Sequence, residues 1–320
     1  MNYVFFDVEC ANCLNGEGKI CSLGYVKTNE SFTVLEKNDI LMNPNAPFLL
    51  GNVKTGAGIK LAYPLHRFQQ SYPFPHYYDE IKKVLLGDNT MCFGFAVHQD
   101  VSYLSYTCKR YQLPILYFPF FDIQEMEKEI NHRKDFSGLD HLISEYGLDS
   151  FTYHRSDDDA LMTMEVMKRL LEQENISVQD ALNKYPHASS DTKTLLKRNE
   201  ERKKVKEQKK ALHERVEHFY SLQPVKPDIN LLNFYFRNKR FFFTYTVLQE
   251  NINAMENVRI WIEKRGGILL KNCENASVIV TEDVHRRIPA APAYAKYITF
   301  KELVSHLHEL NKHFKGEQTE

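Results

Sequence analysis

Apolar and polar positions divide the chain into three stretches of different character. Over residues 1–185, short apolar runs alternate with amphipathic ones. Tyr3 to Glu9, Ile20 to Lys27 and Phe32 to Leu41 read as strands, a hairpin-rich start. A loop rich in Gly, Pro and Asn from Asn43 to Tyr63 leads to a helix over His76 to Leu86, the strand Met91 to Val97 ("MCFGFAV") and a helix from Asp100 to Tyr111. A short strand around Phe118 to Ile123 and helices around Leu139 to Tyr146 and Asp157 to Gln173 complete an α/β pattern that ends near Tyr185-Pro186.

From 186 to 228 the alternation fades into "LLKRNEERKKVKEQKKALHERVEHF". Lys197, Arg198, Arg202, Lys203, Lys204, Lys206, Lys209, Lys210 and Arg215 outnumber Glu200, Glu201, Glu207, Glu214 and Glu217 by nine to five. Sparse apolar positions (Leu195, Leu196, Val205, Leu212, Val216, Phe219) predict a solvated helical linker, read as a spacer, with a nucleic-acid-binding arm as the alternative. From 229 to 320 the strand-like "RFFFTYTV" and "ASVIVTE", the helix "AMENVRIWIEKRGG" ended by glycine, and a last helix from Phe300 to about Phe314 predict a second, smaller α/β unit.

Composition excludes little and localises much. Of 320 residues 43% are hydrophobic and 26% charged, with a formal net charge of −1, so any surface for a polyanion must be local. No basic stretch leads into an apolar signal core, and no run of about 18 uncharged apolar residues occurs. The expectation is a cytoplasmic chain with no membrane partner. Cys10, Cys13, Cys21, Cys92, Cys108 and Cys273 are irregularly spaced and read as free thiols. Cys10 and Cys13 form a lone CxxC, weak grounds for zinc.

The first strand raises a chemical question. In "MNYVFFDVEC", Asp7 and Glu9 project from one face, about 7 Å apart along the backbone. Two like charges on an apolar strand cost on the order of several kcal/mol unless a cation or donors compensate them. A divalent metal would do so, and so would an edge strand facing solvent. Asp100 follows the strand Met91 to Val97 by three residues, at the carboxyl end where open α/β sheets place their sites. In "YHRSDDDALMTMEVM", His154 precedes Asp159 by five residues across a helix start. Taken singly, Asp159 caps the helix: Ser156 and Asp159 have capping-box spacing, and acids in a first turn complement the helix dipole. A solitary histidine at a helix entrance is usually a packing or surface residue.

Order and spacing together change that reading. Asp-x-Glu in an early strand ("FFDVEC"), a lone Asp after a middle strand ("GFAVHQDVSYL") and His-x4-Asp at a late helix ("HRSDDDALMTM") resemble the DEDDh exonuclease family, typified by the proofreading (epsilon) subunit of bacterial DNA polymerase III. The resemblance covers roughly residues 1–175. It implies a ribonuclease H-like domain with a mixed sheet, in which Asp7, Glu9, Asp100 and Asp159 hold two Mg2+ or Mn2+ ions and His154 is the general base. It also implies 3′→5′ hydrolysis of single-stranded or 3′-ended nucleic acid to nucleoside 5′-monophosphates. Carboxylate oxygens suit hard divalent ions, and a histidine with a pKa near 6.5 can take a proton from water at neutral pH. Two features depart from the family: Cys10 stands where many members carry a threonine that contacts the terminal nucleotide, and Phe95-Ala96 stands where many carry His-Asn. Both bear on the nucleotide pocket, so the family's DNA or RNA preference does not carry over; DNA is the favoured substrate, with RNA trimming as the alternative. The second class of function is a scaffold that has lost turnover. The second α/β unit resembles a BRCT domain, a protein and DNA-end interaction module, although its one tryptophan, Trp261, lies in the first helix and Phe300 or Leu303 would fill the usual place in the last. A generic α/β appendage fits the pattern as well.

Overall fold

The structure is a computed structural model that describes residues 1–49, 61–148 and 154–316; part of the expected loop Asn43 to Tyr63, and Tyr153 of the third motif, lie outside the described residues. The chain divides into two compact units, Met1–Glu201 and Arg202–Glu320.

In the first unit the elements run β1 (Asn2–Cys10), β2 (Ile20–Thr28), β3 (Val34–Leu41), α1 (Leu65–Gln70), α2 (Phe74–Leu85), β4 (Thr90–Gly94), α3 (His98–Arg110) and β5 (Pro119–Asp122). They continue through α4 (Ile123–Ile130), α5 (Leu139–Glu145), α6 (Ser156–Glu174), α7 (Val178–Lys184), β6 (Ser189–Asp191) and the start of α8 (Thr192–Ser221). The strands form one sheet in the order β3-β2-β1-β4-β5-β6. β2 lies antiparallel to β1 and β3 to β2, β4 and β5 run parallel to β1, and β6 closes the far edge antiparallel to β5. This is the mixed sheet that the resemblance implied, with β1 paired on both sides rather than exposed at an edge.

Period-two alternation on β1 makes two cores. Tyr3 and Phe5 pack with Phe93, Phe121, Met162, Val166 and Leu170 on the α6 side. Val4, Phe6 and Val8 pack with Ile81, Leu85, Val101 and Leu104 of α2 and α3 on the other. Phe5 and Phe6 are fully buried, each worth about 1.5–3 kcal/mol. Asp7 and Glu9 continue the Tyr3–Phe5 row past the end of that core, so the strand's apolar register places its acids on the α6 face.

Three expectations shift. The strand expected to reach Val97 ends at Gly94, because Ala96 has φ +54°, outside any strand conformation, and α3 starts at His98. Asp100 is therefore in the first turn of α3 rather than at its start. Phe32 has φ +57° and belongs to the turn before β3, not to the strand. Past the boundary expected at 185, β6 pairs with β5 through Phe121 and Ser189, Phe120 and Ser190, and Pro119 and Asp191. Its sequence, Ser-Ser-Asp, carries no apolar signal.

In the second unit β7 (Arg240–Phe243), α9 (Tyr245–Lys264), β8 (Ile268–Leu270), β9 (Val278–Val280), β10 (Lys296–Ile298) and α10 (Phe300–Gly316) follow the remainder of α8. The strands are all parallel in the order β10-β9-β7-β8. Gly266, at φ +85°, lets the chain turn out of α9. Phe241, Phe243, Val258, Ile262, Val278, Val280, Leu303 and Leu307 form its core, with Val216 and Phe219 of α8. Lys203, Lys204, Lys206, Lys209 and Lys210 are exposed. All six cysteines are free thiols. Among the described residues, no helix is long and apolar enough to cross a membrane.

Candidate active site

Gly24 decides where α6 meets the sheet. It lies opposite Asp7 in the β1–β2 register, and a Cβ built on it would fall 2.0 Å from Asp157 N and Ser156 C. Only glycine lets the first turn of α6 rest on β2 this closely. Polar contacts then fix the turn. Ser156 Oγ shares a hydrogen bond with Ser22 Oγ at 2.7 Å and donates to Asp39 Oδ1 at 2.9 Å. Lys37 Nζ lies 2.5 Å from Asp158 and 3.3 Å from Asp157, and Arg155 donates to both oxygens of Asp157 at 2.7 and 3.1 Å.

These contacts sort the three consecutive acids. Asp157 and Asp158 are held by Arg155 and Lys37, whereas Asp159 faces Glu9 and His154. The capping-box reading does not hold: the N-cap is Arg155, and Ser156 spends its hydroxyl on Ser22 and Asp39. Asp159 remains in the first turn, where it complements the helix dipole, but it caps nothing and faces the cluster instead.

The structure brings three of the five expected residues within ligand distance of one another. Glu9, His154 and Asp159 offer ligand atoms that all lie within 4.8 Å of one another, the one such group of metal-capable side chains among the described residues. His154 Nδ1 is 3.6 Å from Glu9 Oε1, and its ring is half exposed. His154 itself has φ +62°, a conformation rarely adopted by a side chain with a Cβ; its carbonyl accepts from Ala62 N–H at 3.3 Å, and its backbone also bonds the Asp159 carboxylate. Asp7 is partly buried and Asp100 is buried, and each feels the charge of the other acids.

Electrostatics show what the cluster lacks. Burial first, then Asp100, Glu9 and Asp159, push the Asp7 carboxyl well above the usual range. Burial, then Asp122, Glu9 and Asp159, do the same to Asp100. Asp159 is pushed up to about 7 by burial and Glu9, against partial relief from His154. His154 is raised by the Glu9 carboxylate beside its Nδ1, with burial opposing. Partly desolvated carboxylates crowd together beside one half-exposed histidine. Such a set of hard oxygen donors fits divalent cations such as Mg2+ or Mn2+. Cys10 and Cys13 stand outside it: Cys10 is half-buried, and hydrogen bonds from Cys10 and Tyr103 lower the exposed Cys13 thiol to about 6.

Sequence reasoning missed Gly24, Lys37 and Asp122. A glycine inside the apolar run "ICSLGYVKT" was a usable signal, since strand glycines mark close backbone approach. Lys37 lies on an exposed strand and becomes meaningful only once α6 is placed.

No protein-family model matches the chain, and no curated protein sequence does. Among solved structures, the chain is similar to a 3′-exonuclease recognising the 3′ end of a histone mRNA stem-loop (12% identity, TM-score 0.43, 54% of this chain and 64% of that one). It is similar to E. coli exonuclease I in complex with a dT13 oligonucleotide (15% identity, TM-score 0.44, 53% and 41%) and to S. pombe Pop2p in its Mg2+ and Mn2+ bound form (14% identity, TM-score 0.42, 53% and 82%). The matches thus span less than two thirds of the length of the first two proteins.

Proposed function

We propose that this chain is a 3′→5′ exonuclease of the DEDDh type, dependent on divalent metal, that releases nucleoside 5′-monophosphates and prefers DNA. The observation that supports this most is the approach of Glu9 of β1 to His154 and Asp159 at the start of α6, with ligand atoms within 4.8 Å of one another, and with Asp7 of β1 and Asp100 of α3 near enough to feel the charge of this cluster. Asp7, Glu9, Asp100 and Asp159 would hold two Mg2+ or Mn2+ ions. When bound, the ions supply neutralisation of the phosphate, activation of water and stabilisation of the departing 3′ oxygen. His154 is the proton acceptor: its ring is half exposed, and Glu9, 3.6 Å from Nδ1, orients it. Glu9 therefore has two duties, as metal ligand and as partner of the base.

Division of labour follows the chain. Residues 1–185 contain every proposed catalytic group, β6 carries the first sheet past that boundary, the charged stretch of α8 is the linker, and 229–320 form a partner- or end-binding unit whose parallel sheet order supports the BRCT-like reading.

Incubating the purified chain with Mg2+ or Mn2+ and 5′-labelled single-stranded DNA, double-stranded DNA and RNA tests the proposal. The expected result is a ladder shortening one nucleotide at a time, slowed by a blocked 3′ end. Internal cuts as first products would place the chain in another nuclease class. Metal binding without cleavage of any of the three would favour the scaffold reading.

A further inference from the structure

Asp100 reaches the site from a tight connection. β4 ends at Gly94 and α3 begins at His98, and between them Ala96 takes φ +54°. A left-handed residue with a Cβ persists only where its surroundings hold it. There is no slack to absorb it: a Cβ at Gly94 would lie 2.7 Å from Val97 Cγ2 and 3.2 Å from the Phe6 carbonyl.

Asp122 supplies the hold. It is the last residue of β5, opposite Gly94 in the parallel register, and it is 2% exposed. Its Oδ1 accepts from Ala96 N–H at 3.1 Å and from Gln124 N–H at 3.0 Å, and its Oδ2 is 2.8 Å from His98 Nδ1. One carboxylate thus ties the connection, the first residue of α3 and the first turn of α4 to the end of β5. The His98 ring is fixed in turn, edge-on to Phe120 with centroids 5.4 Å apart. Its carbonyl accepts from Ser102 Oγ at 2.7 Å, and Ser102 Oγ accepts from Asn199 Nδ2 at 2.9 Å. Asp100 is two residues along the same helical turn, so its carboxylate goes where His98 and Ala96 send it.

Asp122 is close enough that its charge bears on Asp100 more than Glu9 or Asp159 does. Proximity alone would make it a fifth ligand, but its hydrogen bonds argue otherwise. Three donors already occupy its two oxygens, whereas Asp7, Asp100 and Asp159 are pushed toward protonation by burial and one another.

We propose that Asp122, acting through Ala96 and His98, is a positioning residue that sets the Asp100 carboxylate in the site, and that it does not itself ligate an ion. This rests on the two-ion reading above. Mn2+ is titrated into the full-length chain without substrate, free ion being followed by electron paramagnetic resonance, and single-turnover cleavage is measured alongside. Outer-shell partners of metal ligands typically contribute about 10–100-fold in metal affinity. Asp122→Ala and His98→Ala are therefore expected to weaken Mn2+ binding about tenfold or more at unchanged stoichiometry. His98→Asn, whose amide N–H can stand in for Nδ1–H, is expected to stay within about twofold of the wild type. Wild-type affinity in Asp122→Ala overturns the positioning role, and loss of one ion from the stoichiometry overturns the statement that Asp122 is not a ligand. Should Asp122→Ala fail to melt cooperatively, the His98 pair decides, and equal affinities for Ala and Asn at 98 overturn the proposal. A wild-type chain that binds no Mn2+ removes the two-ion reading and this inference with it.

Discussion

Replacing Gly24 by alanine tests whether the seat of α6 on β2 builds the site. The new Cβ would lie 2.0 Å from Asp157 N and Ser156 C and 2.5 Å from Ser156 O, all backbone atoms that no rotamer change can move. Carbon contacts are comfortable at about 3.5 Å, so the start of α6 must lift by roughly 1.5 Å. Overpacking of this kind costs about 1–3 kcal/mol. For a unit of this size each kcal/mol lowers Tm by about 2–4 °C, which gives a loss of roughly 2–12 °C. The chemical effect is larger, because the same lift carries His154 and Asp159 away from Glu9. Metal–ligand distances tolerate about 0.2 Å, and a misplacement of about 1 Å costs on the order of a hundredfold in rate. Gly24→Ala should therefore melt cooperatively, bind Mn2+ at least about tenfold more weakly and cleave about a hundredfold more slowly. Gly147→Ala is the control: it also strains the backbone, at φ +62°, but its Cβ meets nothing within 4 Å. It should lose stability and keep its metal affinity. Wild-type Mn2+ binding and cleavage in Gly24→Ala, measured by the same titration and single-turnover assay, would refute the reasoning.

Asp7→Asn and Asp159→Asn should each lower turnover at least about a hundredfold, while raising the melting temperature of the metal-free chain at pH 8 by removing a repelled charge; full activity of either in Mg2+ would dismiss the carboxylate assignment. The pH dependence follows from Asp159, which titrates near 7 when folded against 3.8 ordinarily. Its raised pKa favours the fold fully only at low pH, and that contribution is lost as pH rises through about 7. The melting-temperature gain on adding Mn2+ should thus be larger at pH 8 than at pH 5.5, and equal gains in a thermal melt would contradict it. Changing Lys203, Lys204 and Lys206 of α8 together to alanine should reduce the salt slope of single-strand binding by up to about 2, with the saturated single-turnover rate unchanged. An unaltered slope would make the segment a spacer only.

What could be read from the chain, and what could not, divides by the range of the interaction. The paired acids of β1 and the His-x4-Asp of α6 are local patterns, and so were legible. Which of Asp157, Asp158 and Asp159 faces the site depends on Lys37 and Arg155, and Lys37 lies on a different strand. The end of β4 was misplaced because "FGFAV" is apolar throughout; only Ala96, forced left-handed between Asp122 and α3, breaks the strand. β6 escaped notice because Ser189 to Asp191 join the sheet by backbone hydrogen bonds alone, without apolar side chains to mark them. Asp122 lies inside the expected strand Phe118 to Ile123 with no pattern to mark it, and its three hydrogen bonds exist only once β4, α3 and α4 are assembled.

The distribution of the site along the chain has a kinetic consequence. Asp7 belongs to the first strand, Asp100 to the middle of the unit and Asp159 to a helix that can seat only on a formed β1–β2 pair. Loop closures of this length precede any encounter among the carboxylates. A divalent ion therefore finds no multidentate partner in the unfolded chain and cannot template folding as zinc does in a small finger domain. Under the two-ion proposal the ion binds last, on a finished scaffold. A chelator should then silence the protein while leaving its secondary structure intact, and restoring the ion should return activity at the rate of mixing rather than the rate of refolding.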